Sequence, residues 1–448
     1  MFRGLDAYKD KRIRRKAERS YIMSKDKLTY IICGKMYDGI IPEFKENYKI
    51  LIENDKIAAV GPNIPQPESA EVIDLSDATV TPGMIDAHMH MDYYDWHHVR
   101  DIVYTTTEEY KTLSILHCAQ KTLSRGFTTV RHIGGISSSG FGALDVRDAI
   151  NDGYFHGSRI VTAPRLLGTV GSHGDLTQAF AHNPEFSKLA LNMRPSIGCG
   201  ADFFRNAVRE EIKAGADFIK IMATGGFFTP YDNPIQQQMS DDELKAIMDT
   251  THEWGKTVTA HVYSSQLQQK LIKLGIDGME HCSLMDEETA EMIVENNVYV
   301  VPTFCPYEEA VHYDPVAIQT KQPEFRKKLE YYKDALQAGR EVIKNSKCKL
   351  GYGTDQVATH NNYESGYEYK AWMESGMGAF RTLEAATRVN AEILQLDDQI
   401  GTLEVGKQAD ISAWKRDLLT DPNALLDCAF VMKGGISYST EKCEDFEG

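Results

Sequence analysis

The chain has 448 residues, 42% of them hydrophobic and 25% charged. That is the composition of an ordinary globular protein with length enough for a large barrel and an accessory domain. A formal net charge of -16 argues against general nucleic-acid binding, and no apolar run approaches the roughly 20 residues of a membrane span. The cysteines (Cys33, Cys118, Cys199, Cys282, Cys305, Cys348, Cys428 and Cys443) include no Cys-x-x-Cys pair. They read as scattered reduced thiols of a cytoplasmic protein.

Residues 1–27 are dense in Lys and Arg, among them Arg12, Arg14, Arg15 and Lys16, against an acidic chain. They read as a solvated extension, or as an upstream start ahead of Met23, without the pattern of a secretory signal. Strand-like segments begin at Leu28–Cys33. Tyr48–Glu53 and Lys56–Val60 flank a turn at Asn54-Asp55, the pattern of a hairpin, and Thr79-Val-Thr81 follows. The far end repeats this texture in Asp410–Trp414 and Cys428–Met432, with a turn at Gly434-Gly435. Two β-rich ends predict one small β-sandwich domain assembled from 28–82 and 400–440.

The middle, 83–399, alternates short apolar runs with helical patterns. Candidate strands are Met84–His90, Thr128–Ile133, Arg159–Ala163, Phe218–Ala223, Val258–Tyr263, Gly278–Cys282, Tyr299–Thr303 and Leu350–Asp355. Between them, Ser240–Trp254 carries a capping-box pattern at Ser240 and Glu243, with Leu244, Ile247 and Met248 on one face. Eight such units predict an α/β fold, a (β/α)8 TIM barrel, although alternation alone leaves a doubly wound sheet open.

Six residues at the predicted strand ends carry chemistry. His88 and His90 lie two apart, so on a strand both face the same side and can chelate one metal. His261 and His281 sit on consecutive candidate strands. Lys220, in Phe218-Ile-Lys-Ile-Met222, is the unusual member. A buried ammonium repels cations, but a neutral amine can take up CO2 as a carbamate and bridge two metals. Asp355 ends the last strand and can both ligate a metal and accept a proton from metal-activated water. Nitrogen and oxygen ligands without thiolate fit Zn²⁺, with Mn²⁺, Co²⁺ and Fe²⁺ as alternatives.

Taken with Gly126–Arg131, Gly171-Ser-His-Gly-Asp175, Glu384–Glu392 and Ile400–Ile411, these residues resemble the amidohydrolase superfamily. The resemblance is to the binuclear branch with a carboxylated lysine, in the group of Xaa-Pro dipeptidases, arginine/lysine carboxypeptidases, ochratoxin-cleaving amidases and imidazolonepropionase-like proteins. It implies that His88, His90 and Asp355 hold one metal, His261 and His281 a second, and carboxylated Lys220 both. It also implies amide hydrolysis of a dipeptide or N-acyl amino acid by a metal-bridging hydroxide, with Asp355 moving the proton, and a homo-oligomer. The alternatives are a cyclic amide or lactone hydrolase, a deaminase, which usually lacks the bridging lysine, and a non-catalytic relative that has lost its ligands.

The candidate substrate residues are less determined. His173 can donate to a carbonyl or carboxylate, or simply hold its loop. Tyr231 can hydrogen-bond a substrate carboxylate, His360 can line the mouth, and Arg131 can bind an anion or serve a structural pair. His132 stands where the family usually has Asp, which is expected to alter a pocket wall or a residue supporting the ligands.

Overall fold

The structure, a computed structural model, describes residues 27–93, 104–135, 140–229, 231–308, 323–357 and 361–441. The basic segment through residue 26, His360 and Cys443 lie outside them.

Both chain ends enter one eight-stranded sheet. Its strands are β1 (Leu28–Met36), β2 (Lys45–Glu46), β3 (Lys49–Glu53), β4 (Lys56–Gly61), β5 (Glu71–Pro82), β15 (Ile411–Trp414), β16 (Cys428–Lys433) and β17 (Ile436–Tyr438). Their order is β17-β16-β15-β5-β1-β3-β4, with β2 paired to β1, so the two ends meet where β15 runs antiparallel to β5. The alternating apolar residues of these strands, including Ile31, Ile50, Ile52, Val80, Ile411 and Met432, bury one shared core. The turn between β16 and β17 uses Gly434 and Gly435, both at positive φ, as a two-residue hairpin requires.

At Gly83 the chain leaves this sheet and enters the barrel. The barrel strands are β6 (Met84–Met89), β7 (Phe127–Ile133), β8 (Arg159–Ala163), β9 (Leu166–Leu167), β10 (Ile219–Met222), β11 (Val258–Ser264), β12 (Gly278–Leu284), β13 (Tyr299–Val301) and β14 (Lys349–Leu350). All their ladders are parallel, in the orders β6-β7-β8 and β9-β10-β11-β12-β13-β14. β8 and β9 are halves of the third barrel strand, bent at Pro164-Arg165, one half pairing with β7 and the other with β10. Eight strand positions result, as the sequence pattern predicts.

The last two strands are shorter as ladders than expected. Thr303 and Asp355 carry φ of 47° and 48°, left-handed values that end the pleat. Residues 351–355 instead run along β6, where Ala87 N donates to Tyr352 O at 2.8 Å and Asp355 N to His88 O at 2.8 Å. These bonds close the barrel. Asn390 clamps the seam, its amide donating to Ile85 O and Tyr352 O, both at 2.8 Å, while its oxygen accepts from Tyr352 N at 3.1 Å. The expected capping box is present on the helix Asp241–Glu253, which buries Leu244, Ile247 and Met248.

Replacing Asn390 with Ala strips three hydrogen bonds from a fully buried seam and leaves the Tyr352 N–H without this acceptor. At about 1 kcal/mol per bond plus the desolvation cost, unfolding stability should fall by about 2–4 kcal/mol, read from denaturant melts.

Candidate metal centre

Asp86 and His88 on β6, and His90 directly after it, are spaced two apart and share the inward face. His88 Nδ1 lies 2.7 Å from Glu280 Oε2, and His90 Nδ1 lies 2.6 Å from the carbonyl of Gly134. Each acceptor takes the Nδ1 proton and so leaves Nε2 with its lone pair. Both Nε2 atoms stand 3.4 Å from Asp355 Oδ1. Asp86 latches β6 to the eighth strand, accepting from the His88 and Thr354 amides and from the Thr354 and Ser365 hydroxyls. Burial pushes its carboxyl up to about 6 despite those bonds.

Opposite, His261 Nδ1 and His281 Nε2 face each other at 2.8 Å, and His281 Nδ1 meets Thr303 Oγ1 at 2.7 Å. His281 and Cys282 have φ of 69° and 54°. That left-handed stretch breaks the two-residue alternation of β12, so Glu280 and His281, neighbours in sequence, both reach His88. One ligand atom each from His88, His281 and Asp355 lie within 4.8 Å of one another, all on buried residues, a cluster that can hold a metal ion. Burial, reinforced by the nearby cations, lowers the pKa of all four histidines, His90 to about 4. They are therefore neutral, as ligands must be.

Lys220 is buried on β10, and among the described residues its ammonium has no hydrogen bond and no ion pair. Desolvation lowers its pKa to about 8, against the pull of Glu280 and Asp355. Desolvation likewise raises Asp355 to about 8, against the pull of Lys220. Burial thus pushes both members of the pair towards their uncharged forms.

His173 lies at the edge of the cluster. Its ring stacks on His261, with centroids 4.6 Å apart and planes 19° apart. Its Nδ1 meets Thr229 Oγ1 at 2.8 Å and Asp232 Oδ2 at 3.2 Å. Burial opposes ionisation of Asp232, but bonds from His173, Thr229 and Lys328 outweigh it and hold the carboxyl below its ordinary value. Tyr231, next in the loop, is 75% exposed.

Two open sequence readings are decided by these contacts. Arg131 is no anion site. Its guanidinium is buried and committed to Glu280 Oε1 at 2.6 Å, Ala87 O at 2.5 Å and Tyr299 Oη at 2.9 Å. His132 forms no pocket wall, because Arg131 takes the inward position and strand alternation turns His132 away. Its Nδ1 accepts from Met91 N at 3.2 Å, and burial drives its pKa down to about 3. Sequence reasoning also missed Glu280, which ties together His88, Arg131 and Thr259. The one available signal was a charged residue beside a candidate ligand on a short candidate strand.

The family model described as the Amidohydrolase family matches residues 79–438. The chain belongs to that family. A crystal structure of a Xaa-Pro dipeptidase with methionine bound in its active site superposes with a TM-score of 0.80 at 28% identity, covering 92% of this chain and 99% of that one. A prolidase complexed with N-methylphosphonate-L-proline gives 0.79 at 27%, covering 92% and 100%. Ochratoxinase of Aspergillus niger is 30% identical over 292 residues, 62% of this chain. That match spans 59% of the length of ochratoxinase. Membership places the chain among metal-dependent hydrolases, and the His-His-Asp cluster suits that chemistry. Among the described residues no helix is long and apolar enough to cross a membrane.

Glu280→Gln should weaken metal binding about 10–100-fold, because it loosens the hold on the Nδ1 proton of His88. Competition with a chelator reads this directly, and unchanged affinity contradicts the role. His132 gives a pH test. Its folded pKa, about 3, lies below the unfolded value of about 6.5. Its contribution to stability is therefore complete above pH 6.5 and is lost as pH falls towards 3. His132→Asn keeps an acceptor for Met91 N but does not titrate. In urea melts the variant should lose less stability than the wild type between pH 6.5 and 4.

Proposed function

We propose that the protein hydrolyses the amide bond of a dipeptide or an N-acyl amino acid, using two divalent cations, with Zn²⁺ the best fit to its nitrogen and oxygen donors. The observation that carries this reading is Lys220, a buried lysine with no hydrogen bond or ion pair among the described residues, beside four neutral histidines and a carboxyl group. An unmodified ammonium there is costly. Its neutral amine can add to CO2, forming an N–C bond and releasing a proton, and the resulting carbamate supplies the negative charge that two cations need. His88, His90 and Asp355 would hold one cation, His261 and His281 the other, with Lys220 between them.

When bound, the cations would lower the pKa of a water towards about 7 and polarise the scissile carbonyl. Asp355 Oδ2, the oxygen turned away from His88 and His90, is the group available to receive the proton of that water. Asp355 then returns the proton to the leaving nitrogen, which departs as a neutral amine rather than an amide anion. His173, stacked on His261, would hydrogen-bond the substrate carbonyl or carboxylate, and Tyr231, in the loop after β10, would bind the substrate carboxylate. The substrate class is supported by the solved relatives, one a Xaa-Pro dipeptidase and the other a prolidase with a phosphonate analogue of an acyl proline.

Protein produced with abundant metal and CO2 should contain close to two equivalents of metal, and Lys220→Ala should lose most of it. One equivalent or none in well-folded wild type sinks the two-cation reading. A screen of dipeptides and N-acyl amino acids should find turnover that Asp355→Asn lowers by at least about 100-fold. No turnover of any of them, with deamination of a purine or pyrimidine, would replace amide hydrolysis with aminohydrolase chemistry.

A further inference from the structure

The helix Pro323–Asn345 presents one stripe, Phe325, Lys328 and Tyr332, spaced three and four apart, to the loop that follows β10. Phe325 stacks on Phe228 at 4.4 Å, and Tyr332 Oη donates to Asn233 Oδ1 at 2.6 Å. Between these two aromatics stands a lysine. Its ammonium donates to Gly226 O at 2.7 Å, Thr229 O at 2.6 Å and Asp232 Oδ1 at 2.9 Å, so all three of its protons are used. A cation in an aromatic stripe is costly unless its acceptors repay the lost hydration, and here they all come from one short loop.

Each of those acceptors leads to His173. Asp232 offers its second oxygen to His173 Nδ1 at 3.2 Å and also accepts from Gly226 N. Thr229 offers its hydroxyl oxygen to the same Nδ1. Gly226 lies flat against the imidazole, so close that a Cβ there would sit 2.2 Å from His173 Cε1. The ring is thus held between Gly226 and His261, and Gln238 fixes its backbone by accepting from His173 N at 2.9 Å.

We infer that Lys328 is a positioning residue. By clamping Gly226, Thr229 and Asp232 it fixes the His173 imidazole over His261 and sets the direction in which that imidazole meets a substrate. The inference rests on the amide-hydrolase reading for its consequence in turnover, but not for the geometry it asserts. Lys328 touches neither candidate metal ligands nor the reacting atoms and acts only through Asp232 and the loop.

The test uses the full chain with metal bound. Lys328→Met and Asp232→Asn should each lower kcat/KM on the amide substrate by roughly 10- to 100-fold, the cost of a misplaced contacting group, while metal content stays at the wild-type value. In a His173→Gln background neither substitution should lower it further, because the loss runs through one residue. A purely structural role would instead lower kcat/KM by the same factor whether or not His173 is present, and that result overturns the inference. So does wild-type kcat/KM in Lys328→Met. A crystal structure of Lys328→Met, or of Asp232→Asn if the first fails to fold, reads the geometry without any substrate. The His173 ring should have left its stacked position on His261, and an unmoved ring refutes the clamp even if no amide is ever turned over.

Discussion

Glu280 is a carboxylate with no solvent exposure at the centre of a parallel barrel. One of its oxygens takes the protons of Arg131 and Thr259, and the other faces His88 Nδ1. A buried charge of this kind survives only with a full complement of donors, and removing one leaves the rest uncompensated. Arg131 answers it. Burial opposes its charge, but Glu280 and Tyr299 outweigh burial and keep the guanidinium charged. That guanidinium also binds the backbone of Ala87, so one network spans β6, β7, β11, β12 and β13. Of the candidate ligands, His88 is bonded directly to this network.

The electrostatics above that network have the opposite character. Four imidazoles are held neutral, and Lys220 and Asp355 are both pushed towards their uncharged forms by desolvation. The strain in the backbone gathers in the same place, with left-handed values at His281, Cys282, Thr303 and Asp355. Such outliers persist where surrounding structure overdetermines them, and here Glu280, Asn390 and the β6 ladder do so. A metal ion held by His88, His281 and Asp355 suits such a site.

Most of the framework was legible along the chain. The apolar runs from Met84 to Leu350 mark eight strand positions, and Ser240 with Glu243 starts a helix where the capping pattern predicts. The ends of the seventh and eighth strands were not legible, because Thr303 and Asp355 leave the pleat through backbone angles that no residue type announces. Arg131 stayed ambiguous for a related reason. Its partner lies 149 residues away, and a guanidinium at a strand end looks the same whether it faces substrate or a buried carboxylate.

By itself the sequence determined the kinds of ligand available, their place at strand ends, and the family, since residue type and two-residue periodicity are local properties. Tertiary structure alone decided which nitrogen of His88 and His90 is free, because the choice depends on Glu280 and Gly134, which come from other segments. It also decided that Arg131 supports rather than binds. And it brought Lys328, from a helix about a hundred residues along the chain, to the loop that holds His173. Those outcomes depend on contacts between distant segments, and only the closed barrel brings them together.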